Sequence, residues 1–247
     1  MSTRGLHVYL GRGGVTASRA RELRGAGVRG LVLCAEAVDG WIAPSSRAAE
    51  WGAICRGEGL EARAYAFPGL PRARVPRAVA GDLLRVVRAS GARGPIPDVE
   101  APYQRRPQLL EALLDAVWDL ATPEERREMG VTTLGLPSAP GAWPWPTAVG
   151  WLRAHPDVEL WWQCYERARL DARVDAGVRE LVMALGPRIV PHVRAYRTTA
   201  ADLVADLDRA CSRDGRVDAE AAAIWSAESL ERDELTALRA WVDRMGW

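Results

Sequence analysis

Two patterns of apolar residues alternate along the chain. Short apolar runs are each followed by a longer stretch with apolar residues at helical spacing, as in Leu109, Leu110, Leu113, Leu114 and Val117. The runs predict eight strands, which are Leu6–Leu10, Gly30–Cys34, Leu60–Phe67, Ile96–Glu100, Gly130–Leu136, Val158–Tyr165, Ile189–Val193 and Ala221–Trp225. The longer stretches predict helices near Thr16–Ala26, Pro44–Gly57, Arg77–Ser90, Pro107–Leu120, Thr147–Ala154, Asp171–Leu185, Thr199–Cys211 and Ser229–Arg244.

The alternation of strands and helices is typical of a (β/α)8 TIM-type barrel. We expect one such domain over residues 1–247, a normal length for this fold. Thr16, Thr199, and Ser45 or Ser46 have side chains suited to cap helix starts. A doubly wound open sheet is the alternative fold. Its phosphate-binding loop is missing, because Gly11-Arg12-Gly13-Gly14 fits neither the dinucleotide fingerprint nor the P-loop.

Composition narrows the classes of partner. The 33 basic and 32 acidic residues give a net charge of +1, which argues against nucleic-acid binding. The sequence has no apolar run of membrane-spanning length and no visible signal peptide, so we expect a cytoplasmic protein as encoded. Signal-independent export or phage-type release would serve an extracellular substrate. The 4 cysteines lack paired spacing, so we expect free thiols and neither a metal nor a cofactor. The oligomeric state stays open.

An acidic pair ends the fourth predicted strand, where barrels of this kind carry their sites. Asp98 and Glu100 are separated by one residue, so on a strand both side chains point to the same face. Crowding and burial would raise the pKa of one carboxyl, which could then act as a general acid. Glycoside cleavage uses such a pair. The alternative is structural, with both carboxylates bonded to loop amides or to Arg105 and Arg106.

Aromatic and polar residues at the other strand ends predict a glycan-binding surface, because indole rings stack on sugar rings. Trp143 and Trp145 are expected to form an exposed platform, and Trp225 to line a subsite. The full set of candidate substrate-binding residues is His7, Tyr9, Glu36, Trp41, Tyr65, Tyr103, Trp143, Trp145, Gln163, Tyr165, His192 and Trp225.

Four segments resemble successive strands of the glycoside hydrolase family 25 lysozymes. They are Gly27–Glu36, Leu60–Phe67, Pro97–Glu100 and Leu160–Tyr165. The resemblance implies cleavage of the β-1,4 bond after N-acetylmuramic acid in peptidoglycan. It implies Glu100 as the acid, Asp98 as its charged partner, and Glu36 and Tyr65 as pocket residues. The glycoside-hydrolase-like barrels of bacteria and phage resemble the chain about as well.

One position departs from the lysozyme pattern, because His7 stands where that family has an Asp on the first strand. This departure keeps two other hypotheses open. One is a non-catalytic glycan-binding or structural barrel module of a phage or secretion-like assembly. The other is a metal-dependent hydrolase or isomerase that uses His7 and His192 with the carboxylates.

Overall fold

A computed structural model provides the structure of the protein. It describes residues 4–35, 43–67, 75–100, 103–134, 144–163, 185, 188–211 and 220–247. Eight parallel strands form one sheet in the order β4-β3-β2-β1-β8-β7-β6-β5. The strands are β1 (Gly5–Tyr9), β2 (Val28–Cys34), β3 (Glu61–Ala66), β4 (Pro95–Pro97), β5 (Gly130–Leu134), β6 (Glu159–Gln163), β7 (Ile189–Arg194) and β8 (Ala221–Trp225).

The barrel closes between β4 and β5 just beyond the end of β4. Asp98 forms an isolated parallel bridge with Thr132 of β5, and the Val99 backbone N–H donates to the Thr132 carbonyl over 3.0 Å. On the other side, the Asp98 N–H donates to the Ala66 carbonyl of β3 over 2.9 Å. The segment that carries the acidic pair is therefore part of the barrel wall, which holds its backbone from both sides.

Helices surround the barrel. Among the described residues they are α1 (Ala17–Gly25), α2 (Ser45–Gly57), α3 (Pro76–Ser90), α4 (Pro107–Leu120), α5 (Pro123–Arg127), α6 (Trp145–Ala154), α7 (Ala200–Ala210) and α8 (Arg232–Met245). The Thr16 and Thr199 side chains cap α1 and α7, accepting from the N–H groups of Arg19 and Asp202. Pro44 precedes α2 instead, so the expected serine cap there is wrong.

Alternate residues along the strands separate two apolar layers. Tyr9, Val32, Ile96 and Trp161 point into the barrel and form its inner core with the small side chains of β8. Leu6, Val8, Leu31 and Leu33 belong to the outer core, which packs against the helices. The barrel interior below its mouth is thus filled with side chains.

The prediction of a (β/α)8 barrel is confirmed, and β8 has the predicted bounds. The predicted fourth strand is too long, because the ladder ends at Pro97 apart from the Asp98 bridge. Helix α5 was not predicted. Its five residues carry no apolar period, and its start depends on a capping box between Thr122 and Glu125. No described helix is long and apolar enough to cross a membrane.

Candidate functional site

A cavity of about 540 Å³ opens at the C-terminal mouth of the barrel. Both members of the acidic pair line it. The other lining residues come from the ends of β2, β3, β6 and β8 and from the turns beyond β1 and β7, and are Gly11, Arg12, Cys34, Tyr65, Phe67, Gln163, Tyr196 and Trp225. Six segments distant in sequence therefore meet around Asp98 and Glu100, as in the sites of TIM-barrel enzymes.

The backbone beyond β4 sets the direction of the two carboxyl groups. The side chain of Val99 belongs to the outer core, whereas Asp98 and Glu100 on either side of it line the cavity. Extended backbone turns successive side chains to opposite faces, which explains this arrangement. The prediction that Asp98 and Glu100 share one face is therefore confirmed, although Glu100 lies in a bend beyond the strand.

Gln163 at the end of β6 links the acidic pair to β5. Its Nε2 donates to Thr132 Oγ1 over 3.2 Å and to Asp98 Oδ1 over 3.4 Å. Gln163 is 1% exposed and Asp98 is 5% exposed, so both side chains belong to the floor of the cavity. A buried donor that reaches two elements fixes the position of the Asp98 carboxyl in the barrel wall.

The electrostatics of the floor favour a protonated carboxyl. Burial raises the pKa of Glu100, and the hydrogen bonds that Glu100 shares with Gln163 and Asp98 offset only part of that rise. Burial and the nearby Asp98 carboxyl raise the pKa of Tyr103 above its ordinary value, and they also raise that of Tyr9 well above its usual value. These phenols therefore stay neutral near the pair.

A layer of stacked aromatic rings supports the cavity floor from below. The ring of His192 on β7 stacks on Tyr9 with centroids 4.2 Å apart, and both side chains are fully buried. Burial lowers the pKa of His192 to about 3, so this imidazole is neutral. Trp225 meets the Tyr65 ring edge-on with centroids 5.7 Å apart and extends the aromatic wall up to the cavity.

His7 lies in the lower part of the barrel, below the cavity. Its ring approaches Trp161 edge-on at 5.6 Å, and its Nε2 lies 3.2 Å from the carbonyl of Arg4. Burial and the Arg63 charge lower its pKa to about 3. Gly30 leaves room for the imidazole, because a Cβ there would lie 2.5 Å from His7 Nδ1. His7 fills the lower barrel and does not line the mouth cavity.

The described residues give no support to the hypothesis of a metal site built on His7 and His192. The described residues contain no group of three or more His, Cys, Asp or Glu side chains that could hold a metal ion. His7 lies beside the cationic Arg63, and His192 is covered by Tyr9. These surroundings suit buried neutral imidazoles better than metal ligands.

Two further predicted site residues lie outside the cavity, besides His7, Tyr9 and His192. Trp145 begins α6, is 3% exposed and packs in the outer core, so the expectation of an exposed platform there is wrong. Its helix turns the indole towards the apolar layer between helices and strands. Tyr103 is also buried in the outer core, although its hydroxyl lies near Asp98. Glu36, Trp41, Trp143 and Tyr165 lie outside the described residues.

Three side chains of the cavity were missed by the sequence reasoning, namely Arg12, Cys34 and Tyr196. A signal existed for Cys34, because it shares the inward parity of Val32 at the end of β2. Arg12 follows β1 in a turn anchored by the Gly11 N–H, which donates to the Glu228 carboxylate beyond β8. Nothing local in the sequence indicates that these two loops touch.

The fold and the paired carboxyls at the mouth define the class of the molecule as a TIM barrel with an acidic cleft. No protein-family model matches the chain, and a comparison with curated protein sequences finds no match. Similarity to solved structures, in contrast, extends over nearly the whole chain.

The active domain 2 of a thermostable Pyrococcus furiosus chitinase, solved as catalytic-site mutants with chito-oligosaccharides, has a TM-score of 0.70 at 13% identity, covering 100% of this chain and 97% of that chain. A GH18 chitinase from Pseudoalteromonas aurantia has a TM-score of 0.67 at 11% identity, covering 98% of each chain. The D-psicose 3-epimerase of Clostridium cellulolyticum reaches 0.56 at 10% identity, covering 98% of each chain. At these identities the likeness establishes the fold alone, which different chemistries share.

Proposed function

We propose that the protein is a glycoside hydrolase that cleaves a β-1,4-linked glycan of 2-acetamido sugars. The observation that carries the proposal is the buried acidic pair in the mouth cavity, where burial raises the pKa of Glu100 beside Asp98. The sequence resemblance favours a bacterial cell-wall glycan with muramidase-type cleavage. A chitinase of the same fold was solved with chito-oligosaccharides, which also consist of 2-acetamido sugars. These oligosaccharides are therefore the second candidate substrate.

Glu100 is the general acid in this proposal. Its raised pKa keeps a proton on the carboxyl at a pH where an ordinary glutamate has lost it. The proton passes to the glycosidic oxygen as the bond from that oxygen to C1 breaks, and positive charge develops at the sugar ring. Once deprotonated, Glu100 accepts a proton from the water that later attacks C1.

Asp98 is the charge-stabilising carboxylate. Gln163 and the bridge to Thr132 fix it in the barrel wall, so little reorganisation is needed when charge develops in the cavity. On a 2-acetamido sugar the acetamido carbonyl oxygen can attack C1, which gives an oxazolinium ion that water opens. The Asp98 carboxylate stabilises that cation.

The test is product release from chitotetraose and from purified peptidoglycan, measured by mass spectrometry of the fragments. We expect Glu100→Gln and Asp98→Asn each to lower turnover by about 10²- to 10⁴-fold, because each removes one member of the pair. Glu50→Gln, the same change on the exposed surface of α2, is the matched control and should leave turnover unchanged.

Equal turnover by the wild type and Glu100→Gln, or none by the wild type on both substrates, would refute the catalytic proposal. Glycan binding without turnover would support the non-catalytic module instead.

A further inference from the structure

Arg194, the last residue of β7, lies at the rim of the mouth cavity. Side chains of β7 alternate between the two cores, because Val190 belongs to the inner core and Val193 to the outer core. Arg194 therefore lies on the inner side of the strand. In the sheet register it is level with Trp225 on β8, whose ring lines the cavity. The strand thus delivers a cation beside the aromatic wall of the mouth.

One edge of the Arg194 guanidinium is buried without an acceptor. Its Nε is buried and has no hydrogen-bond partner among the described residues, and no described carboxylate pairs with this arginine. The guanidinium lies over the Tyr196 ring, 5.3 Å from the ring centroid, and Tyr196 itself lines the cavity. Buried donors in native proteins are nearly always satisfied, so this edge calls for an acceptor that arrives from the cavity.

A second cation lies on the other side of Trp225. Arg12 lines the cavity in the turn beyond β1, and β1 borders β8 on the side opposite to β7. The turn is anchored because the Gly11 N–H donates to the Glu228 carboxylate over 2.5 Å. The influences on the Glu100 pKa do not include Arg12, so its charge does not serve to ionise that carboxyl.

The two arginines indicate the chemistry of the ligand. A guanidinium is planar, and the edge formed by Nε and one Nη donates two parallel hydrogen bonds to the two oxygens of a carboxylate. A sugar hydroxyl offers a single acceptor and no negative charge. An anionic ligand also has to approach the Asp98 carboxylate in the same cavity, and two nearby cations offset that repulsion.

We propose that the mouth cavity binds a glycan that carries a carboxylate, which Arg194 holds through Nε and one Nη, while Arg12 adds a positive charge across Trp225. The inference rests on the proposed glycan hydrolysis and deepens it, because it names acidic glycans as the substrate class in place of neutral chito-oligosaccharides. Two carboxylates have this chemistry, namely the lactyl group of a muramyl residue and the carboxylate of a uronic acid.

The test measures calorimetric binding of tetrasaccharides to Glu100→Gln. The probes are chitotetraose, a tetrasaccharide of alternating N-acetylglucosamine and N-acetylmuramic acid, and a hyaluronan tetrasaccharide, the last two both as free acids and as methyl esters. At least one free acid should bind about 10- to 100-fold more tightly than its own ester, because the ester loses the charge-assisted hydrogen bonds. The acid that shows this preference identifies the source of the carboxylate.

Substitutions in the Glu100→Gln background assign the preference to Arg194. Arg194→Met should abolish the difference between acid and ester and leave chitotetraose affinity unchanged, whereas Arg194→Lys keeps the charge without the planar edge and should retain part of the difference. Arg47→Met is the matched control, since Arg47 lies over the Trp51 ring at 5.7 Å on the exposed face of α2. It should retain the whole difference.

Equal affinities of Glu100→Gln for the acid and the ester of both glycans would overturn the inference. A preference for the acid that persists undiminished in Arg194→Met would overturn it as well. Thermal unfolding shows whether each variant is folded, and the comparison of acid with ester on Glu100→Gln needs no change at Arg194.

Turnover by the wild type separates this inference from the proposed function. A preference for the acid that depends on Arg194, without turnover of any of these glycans, supports the carboxylate site and rejects the hydrolase. Turnover together with equal affinities for acid and ester does the reverse.

Discussion

The two ends of the barrel both bury charge, but they treat it differently. At the lower end, Arg63 is 1% exposed and pairs with Glu128 at 3.0 Å and Glu159 at 3.9 Å, with its guanidinium over the ring of Trp161. At the mouth, the influences on the Glu100 pKa are burial, Gln163 and Asp98, and none of them is a cation.

This difference separates a cluster of paired charges from the acidic pair that we propose to be reactive. Ion pairs at the lower end join Arg63 on β3 to Glu128, just before β5, and to Glu159 on β6. Carboxyls at the mouth share a cavity with an amide, phenols, Arg12 and each other, and burial favours the protonated form of Glu100. Buried charge is therefore paired with a cation at one end of the barrel, whereas at the other end burial raises the pKa of a carboxyl, as the proposed proton transfer requires.

The largest expected effect is on stability at the lower end. Arg63→Met leaves Glu159 and Glu128 without their buried cation, and we expect a loss of about 3–5 kcal/mol in the free energy of unfolding. Urea denaturation measures this loss. Arg93→Met removes a half-exposed partner of Glu61 and Glu128 and should cost less than about 1 kcal/mol. Similar losses in both variants would contradict the expected difference between the buried Arg63 and the half-exposed Arg93.

The second prediction concerns the sign of the pH dependence at the two ends. Glu100 has a raised folded-state pKa, so its ionisation destabilises the fold as pH rises through its ordinary value of 4.5 towards the folded value. Glu100→Gln should therefore melt higher than the wild type at pH 7.5, and this advantage should vanish near pH 4. A lower melting temperature of Glu100→Gln than of the wild type at pH 7.5 would contradict this prediction. It would show that neighbouring groups stabilise the ionised Glu100 carboxylate.

The contribution of Glu61, at the lower end, to the pH dependence of stability has the opposite sign. Burial raises its pKa, but the hydrogen bond and charge of Arg93, with His7 and Arg29, lower it overall. Its stabilising contribution is therefore present above pH 4.5 and is lost as pH falls through the lowered folded value. Glu61→Gln should melt lower than the wild type at pH 7.5, with the difference shrinking in acid.

The smallest expected effect is at the aromatic wall of the mouth. Trp225→Ala removes a ring that lines the cavity, and we expect about fivefold weaker chitotetraose binding, or about 1 kcal/mol. Calorimetry on the Glu100→Gln background measures it. Trp225→Phe keeps an aromatic face and should recover most of the affinity. Equal binding by all three proteins would remove Trp225 from the glycan site.

Much of the barrel was predictable because strand and helix periods are local. The bounds of β8 and α4 match the prediction, and Asp98 and Glu100 share the cavity face as their spacing indicates. The site was harder to predict, since a residue type does not tell which layer a side chain enters. The Trp145 side chain packs in the outer core, and the His7 side chain lies in the lower barrel.

The sequence by itself determined the alternation of strands and helices and the common face of the acidic pair, because both depend on backbone geometry over a few residues. Only the tertiary structure decided that Gln163 holds Asp98, that Cys34 and Tyr65 share its cavity, and that Arg63 is neutralised below. Those contacts join residues far apart in the chain, and barrel closure brings them together. The Asp98 bridge to Thr132 therefore both completes the barrel and positions its candidate site.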